Sequence, residues 1–312
     1  VLCAPDNTPE QGAQYGQAER LGDDMKTMTI TREVEIRRFS EQIRLETVKE
    51  LVSLGTGHVG GCMSVCELLG VLYSGVMNAD PGRPTAPDRD MLICSKGHAG
   101  PAVYAALALR GFMPLSELQT LNRPGTHLPS HCDRNLTRGI DMTTGSLGQG
   151  LSAGAGAALG LRLDGRNSYV YVIVGDGELQ EGQVWEAVMA AAQYRLSNLV
   201  AFIDHNKFQI NGAVEDVNGV GDLESRFKSF KWNAITVDGH DVKAIYEAVA
   251  FAKVQEGPTA VILETIKGYG CKYALEQTRC HSLKMPADKL HESIELIEKR
   301  IADLDRQLEG VE

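Results

Sequence analysis

Four short apolar runs at 169–174, 199–203, 234–237 and 259–263 alternate with helical periodicity at 181–195, 222–229 and 241–254. Such runs lack the in-out alternation of a half-solvated strand, so both faces of each are buried. Strands joined through helices pair in parallel, because a parallel connection needs a long crossover. The pattern therefore predicts an α/β fold, a doubly wound, mostly parallel sheet with helices on both faces. Upstream, Ile36, Phe39, Ile43, Leu51 and Leu54 mark a helix over 33–54 that Gly55 and Gly57 end. Ser64 and Glu67 have capping-box spacing before an apolar stretch to Val76. A strand at 91–94, a helix at 99–110 and a shorter helix opened by Ser116 follow. One domain over 29–285 accounts for all of this. Residues 1–28, rich in Gly, Gln, Pro and Asp, read as a flexible extension or an added leader. Residues 286–312 read as a C-terminal helix whose stripe of Leu290, Ile294, Ile297, Ile301 and Leu304 is expected to face a partner.

The 312 residues are 43% hydrophobic, enough to bury a core. A net charge of −10 without any Lys/Arg-rich run argues against nucleic acid and anionic membranes as partners. No apolar run approaches the roughly 20 residues of a membrane span. No signal-peptide h-region is present, so a cytoplasmic location is expected. Seven cysteines, an odd number without a C-x-x-C pair, do not make a disulfide framework. Cys62 and Cys66, one helical turn apart, are expected to be buried small hydrophobes rather than a metal pair.

The chemistry concentrates at the strand ends. Gly175-Asp176-Gly177 follows the strand at 169–174, and Asn206 follows the next strand. Ligands of open parallel sheets bind beyond the carboxyl ends of the strands, so both segments face one crevice. Asp176 and Asn206 offer hard oxygens suited to Mg²⁺ or Ca²⁺, and the two glycines admit a phosphate. A plain βα turn in which Asp176 caps the next helix remains the alternative. A calcium loop over 204–215 is excluded, since Phe208 and Gln209 stand where a ligand and a glycine are required. Residues 143–150, T-T-G-S-L-G-Q-G, open a helix of small residues and form a ready anion site or a tight packing surface.

Taken together, G-D-G, E-L-Q-E-G and D-H-N-K-F-Q-I-N-G resemble the thiamine diphosphate motif of the transketolase family. The resemblance implies the diphosphate-binding module of the thiamine diphosphate fold, with Mg²⁺ held by Asp176, Asn206 and the carbonyl of Phe208. Leu147 in T-T-G-S-L-G-Q-G, with Ile210, takes a family position along the thiazolium ring, and Gly145 of the same string is expected at the cofactor. Four histidines have family-like settings: His58 in G-T-G-H-V-G-G, His98 in S-K-G-H-A, His131 in G-T-H-L-P-S-H-C-D-R and His281 after K-G-Y-G. The resemblance assigns them to the substrate channel, and His98 and His281 also to the diphosphate. Ser130 and Cys132 flank His131 where the family has glycine and proline, which leaves His127 as a competitor. Val59 likewise replaces a proline. Glu181 is expected at the cofactor site and, with Glu186, at a subunit interface, although an exposed helical face would look the same. Asp238-Gly239-His240-Asp241 matches a further family string, or is simply a capping turn.

The resemblance spans about 35–285, the first part of a full-length transketolase, and nothing after Glu264 reads as a second parallel domain. It implies the N-terminal subunit of a split transketolase, which moves a two-carbon ketol unit from a ketose to an aldose acceptor. A C-terminal subunit would carry the pyrimidine-binding domain and its glutamate, in an α₂β₂ assembly. A phosphorylated ketose is expected, but most phosphate-binding arginines of the family belong to that other half, which leaves a sulfonated or branched sugar open as well. The rival readings are the α subunit of a 2-oxo acid dehydrogenase and a catalytically silent paralogue.

Overall fold

The computed structural model describes residues 28–210, 212–277 and 280–310. The extension expected at 1–28 lies, Met28 apart, outside these. In chain order the main elements are α1 (Ile30–Leu54), α2 (Cys66–Val71), β1 (Met91–Cys94), α3 (Gly100–Leu109), α4 (Gln149–Leu163), β2 (Val170–Gly175) and α5 (Gly182–Gln193). They continue as β3 (Leu199–His205), α6 (Leu223–Ser229), β4 (Asn233–Asp238), α7 (Val242–Lys253), β5 (Thr259–Glu264) and α8 (Ala287–Glu309).

The five strands form one parallel sheet in the order β1-β2-β3-β5-β4. Alternate residues of each strand feed two cores. Tyr171, Ile173, Val200, Phe202, Val261 and Leu263 pack beneath α1, α2, α3 and α7. Val170, Val172, Val174, Leu199, Ala201 and Ile203 pack against α4, α5 and α6. Burial on both sides is why the strands read as unbroken apolar runs. Helix ends follow local chemistry: Thr29, Asp222 and Asp241 cap α1, α6 and α7, and left-handed Gly55 (φ 82°) stops α1.

Three expectations change. Ser64 and Glu67 form no capping box. Cys66 opens α2 after an uncapped Val65, while the Ser64 hydroxyl donates to Asp204 (2.8 Å) and Glu67 pairs with Arg44. Tertiary partners outcompete the local cap. The helix placed at Ser116 is a 3₁₀ segment, Leu115–Thr120, begun after Pro114. The apolar stripe of α8 faces α1 of its own chain rather than a partner. Leu290 and Ile297 join the core of α1, and Arg300 to Glu41 (3.0 Å) and Arg38 to Asp305 bridge the two helices. Cys62 and Cys66 are buried, and burial pushes the Cys62 thiol up to about 12, as suits small hydrophobes. No helix among the described residues is long and apolar enough to cross a membrane.

Candidate active site

Neighbouring strands β2 and β3 end in register, Gly175 opposite Asp204, so the residues after them meet. The Asp176 carboxylate accepts the N–H of Gly177 (2.8 Å) and that of Lys207. It does cap the short 3₁₀ turn Gly177–Gln180, so that alternative and a ligand role are compatible. Asn206 donates from Nδ2 to Asp204 (2.8 Å), and its Oδ1 accepts the Phe208 N–H (3.1 Å). Asp204 is fully buried and also holds the Lys96 ammonium and the hydroxyls of Ser64 and Thr265. Burial and the neighbouring Asp204 push the Asp176 carboxyl up to about 6, the mark of a poorly compensated negative charge that a cation would relieve.

The four histidines singled out in the sequence come together from loops far apart in the chain. Ring centroids lie 5.6 Å apart for His58–His98, 5.7 Å for His58–His131, 5.2 Å for His58–His281 and 4.8 Å for His98–His281. Burial, with nearby Lys96 and His281, drives His98 far below its ordinary range; burial and Lys267 take His281 down to about 4. His58 is lowered by burial and by His131, and His131 by burial. Near pH 7 these are neutral rings, each with one donor and one acceptor. His127 is exposed and, among the described residues, makes no ring contact with them; its carbonyl accepts from Thr137. Geometry thus brings His131, not His127, into the group.

The T-T-G-S-L-G-Q-G loop closes one side. Gly145 adopts φ 141° beside His131, and a Cβ on Gly97 would lie 2.8 Å from the Gly145 nitrogen, so only glycine permits this approach. Leu147 (37% exposed), on this loop, and Ile210 (59%) present apolar surface. A cavity of about 640 Å³ lies at Ile210, lined also by Asn206, Phe208, Lys267 and His281. Among the described residues, His281 Nδ1 and Thr144 Oγ1 are buried without partners, as befits atoms awaiting a ligand.

Several residues escaped the sequence reading. Lys96, 1% exposed, sits within S-K-G-H-A, but nothing local distinguishes it from a solvated lysine. Lys267 donates to the Phe208 carbonyl (2.8 Å) and raises the local positive charge around His58 and His281. Its place just beyond β5, at the same sheet edge as Asp176, was an available signal. Buried Glu178 ties the site together by accepting from Ser95, Gly148 N–H (2.9 Å) and Gly175 N–H (3.0 Å). Glu181 and Glu186, singled out instead, are exposed, with Glu181 lying against Gly148.

Residues 36–295 match the family described as transketolase, thiamine diphosphate binding domain. The chain belongs to the transketolase family. It is 46% identical over 268 residues to the 6-deoxy-6-sulfo-D-fructose transketolase subunit SqwG of Clostridium sp. (strain MSTE9), covering 86% of this chain and 98% of that one. An apulose-4-phosphate transketolase subunit from Phocaeicola vulgatus is 33% identical, with 87% and 96% covered. The crystal structure of Pichia stipitis transketolase complexed with sedoheptulose 7-phosphate superposes with a TM-score of 0.76 at 28% identity. That match covers 89% of the present transketolase-family chain but 45% of the longer protein. This is therefore an N-terminal-type chain of a split transketolase, built for ketol transfer with thiamine diphosphate.

Proposed function

We propose that Asp176, Asn206 and the Phe208 carbonyl hold Mg²⁺, for which Ca²⁺ could substitute, against the diphosphate of thiamine diphosphate. His98, His281, Gly145, Gly175 and Gly177 would line the diphosphate, Leu147 and Ile210 the ring. Among the described residues no cluster of three His, Cys, Asp or Glu is placed to bind a metal alone. The cation would therefore need phosphate oxygens as ligands, as Mg²⁺ bound with a substrate or cofactor commonly does. Lys267 now occupies the Phe208 carbonyl and lies beside the histidines, where its charge would offset the diphosphate.

The observation that carries this reading is the convergence of four imidazoles, one of which, His281, lines the same cavity as Asn206 and Phe208. When bound, the cofactor supplies the electron sink for breaking the ketose C2–C3 bond. The chain's part is to orient the sugar. His58, His98, His131 and His281 each keep an N–H for a substrate hydroxyl or for the oxygen that gains charge. The exposed Leu147 and Ile210 support closure of the mouth by a C-terminal subunit bearing the pyrimidine-binding domain, with Glu181 at that interface and an α₂β₂ stoichiometry. Domain limits of 29–285 for the cofactor domain and 286–312 for the terminal helix belong to the same proposal. Since relatives are named for a sulfonated and a phosphorylated sugar, both 6-deoxy-6-sulfofructose and ketose phosphates are donors to assay.

The test is calorimetry with thiamine diphosphate and Mg²⁺ on the complex with its partner. Asp176→Ala or Asn206→Ala should weaken binding more than tenfold, about 1.4 kcal/mol or more. Unchanged affinity would overturn the metal assignment.

A further inference from the structure

The turn after β5, residues 265–270, is gripped from two sides. Toward the active site, Thr265 donates to Asp204 and Lys267 to the Phe208 carbonyl (2.8 Å). The Gly268 N–H reaches the Gly60 carbonyl (3.0 Å), two residues from His58. On the opposite side stands His240 of the D-G-H-D turn. Its ring stacks on Tyr269, with centroids 3.6 Å apart and planes 15° from parallel. Nε2 accepts the Ile266 N–H (2.9 Å), and Nδ1 faces Glu67 Oε2 (3.3 Å).

These contacts fix the ring chemically. Nε2 must present its lone pair to the Ile266 amide, so Nδ1 carries the proton and donates to Glu67. Glu67 is itself buried and pairs with Arg44, whose Nε donates to the Tyr269 carbonyl (3.2 Å). Burial pushes the Glu67 carboxyl up, but Arg44 and His240 outweigh it and hold the group below the usual range. Nor is there slack in the backbone: a Cβ on Gly239 would lie 2.3 Å from Thr265 Cγ2. Capping alone does not explain an imidazole here. Asp241 caps α7 through the Lys243 and Ala244 N–H groups, and Asp238 accepts the His240 N–H (2.8 Å); neither uses the ring.

We infer that His240 is a positioning residue: held as the Nδ1–H tautomer by Glu67 and Arg44, it fixes the 265–270 turn and so places Lys267 and the His58 loop at the cofactor side of the site. The role of Lys267 in that statement rests on the site proposed above. The ring acts from behind the turn and touches neither cofactor nor substrate.

Three substitutions separate positioning from packing. His240→Phe keeps a ring on Tyr269 and removes both hydrogen bonds. His240→Gln restores an acceptor near the Nε2 position. His240→Asn reaches Glu67 but not Ile266, and replaces the Phe variant should that fail to fold. Amide exchange at 265–270 in the full chain without cofactor should accelerate about tenfold in His240→Phe and stay within about threefold of wild type in His240→Gln. In the complex with the partner, His240→Phe should weaken binding of thiamine diphosphate with Mg²⁺ about tenfold, and by less than about twofold in a Lys267→Ala background. Unchanged exchange in His240→Phe, or an undiminished loss without Lys267, overturns the inference. A wild-type complex that binds no cofactor would instead sink the site proposal, leaving the exchange comparison to judge His240.

Discussion

Imidazoles whose ring centroids lie 4.8 to 5.7 Å apart disfavour one another's protonation, and the ammonium groups of Lys96 and Lys267 add to the effect. His281 stands at about 4 in the folded chain against an ordinary 6.5. Between those values the unfolded chain binds a proton that the folded chain refuses, so folding stability should fall as pH drops from 6.5 toward 4. Below that window this group adds no further loss. Urea unfolding across the range should show a shallower slope for His281→Asn, and an identical slope would assign the loss to other groups. A second expectation separates two nearby rings. His131→Ala should lower kcat/KM for ketose donors at least tenfold and leave cofactor affinity nearly intact, because its ring meets His58 and is assigned to substrate alone. His127→Ala should do neither; if steady-state kinetics show the reverse pattern, the wrong histidine sits in the channel. The sequence exposed all four histidines because each lies in a distinctive glycine-rich or polar string. It hid Lys96 and Lys267, since a lysine's burial is decided by residues such as Asp204, remote from both in sequence.

Helices and strands were legible to the degree that their pattern was set by their own burial. Val170, Val172 and Val174 face one core while Tyr171 and Ile173 face the other, and an unbroken apolar string is the trace of that arrangement. Ser64 and Glu67 show the opposite case. Their spacing suits a cap, but Asp204 and Arg44 claim them, and no local rule reports a competitor so distant in the chain. α8 displayed its stripe clearly without naming the surface that would cover it. Since Ile297 is fully buried against α1, Ile297→Ala should cost about 2–5 kcal/mol of stability, read from denaturant midpoints. A loss under about 0.5 kcal/mol would mean that α8 contributes little to the fold.

At the scale of the whole molecule, the mouth of the site is where apolar surface stays open. Phe208 and Ile210 are exposed there, Leu147 on the 143–150 loop, and Met189 and Tyr194 at the far end of α5 and just beyond it. Co-expressed with its partner, the chain should sediment as a two-fold α₂β₂ particle and catalyse ketol transfer, whereas alone it should be inactive. Full activity from the isolated chain would end the split-subunit reading. The seating of α8 on α1 has a consequence in time. A ribosome delivers α1 before any strand and α8 only after the whole sheet. Until then the flank of α1 that receives Leu290 and Ile297 is bare, and earlier in synthesis each strand of β1–β2 and β3–β5 waits for a neighbour dozens of residues away. Long-range pairing of this sort slows folding and exposes sticky intermediates. The nascent chain is thus exposed to aggregation and proteolysis at its strand edges until β5 pairs, and along α1 until α8 arrives.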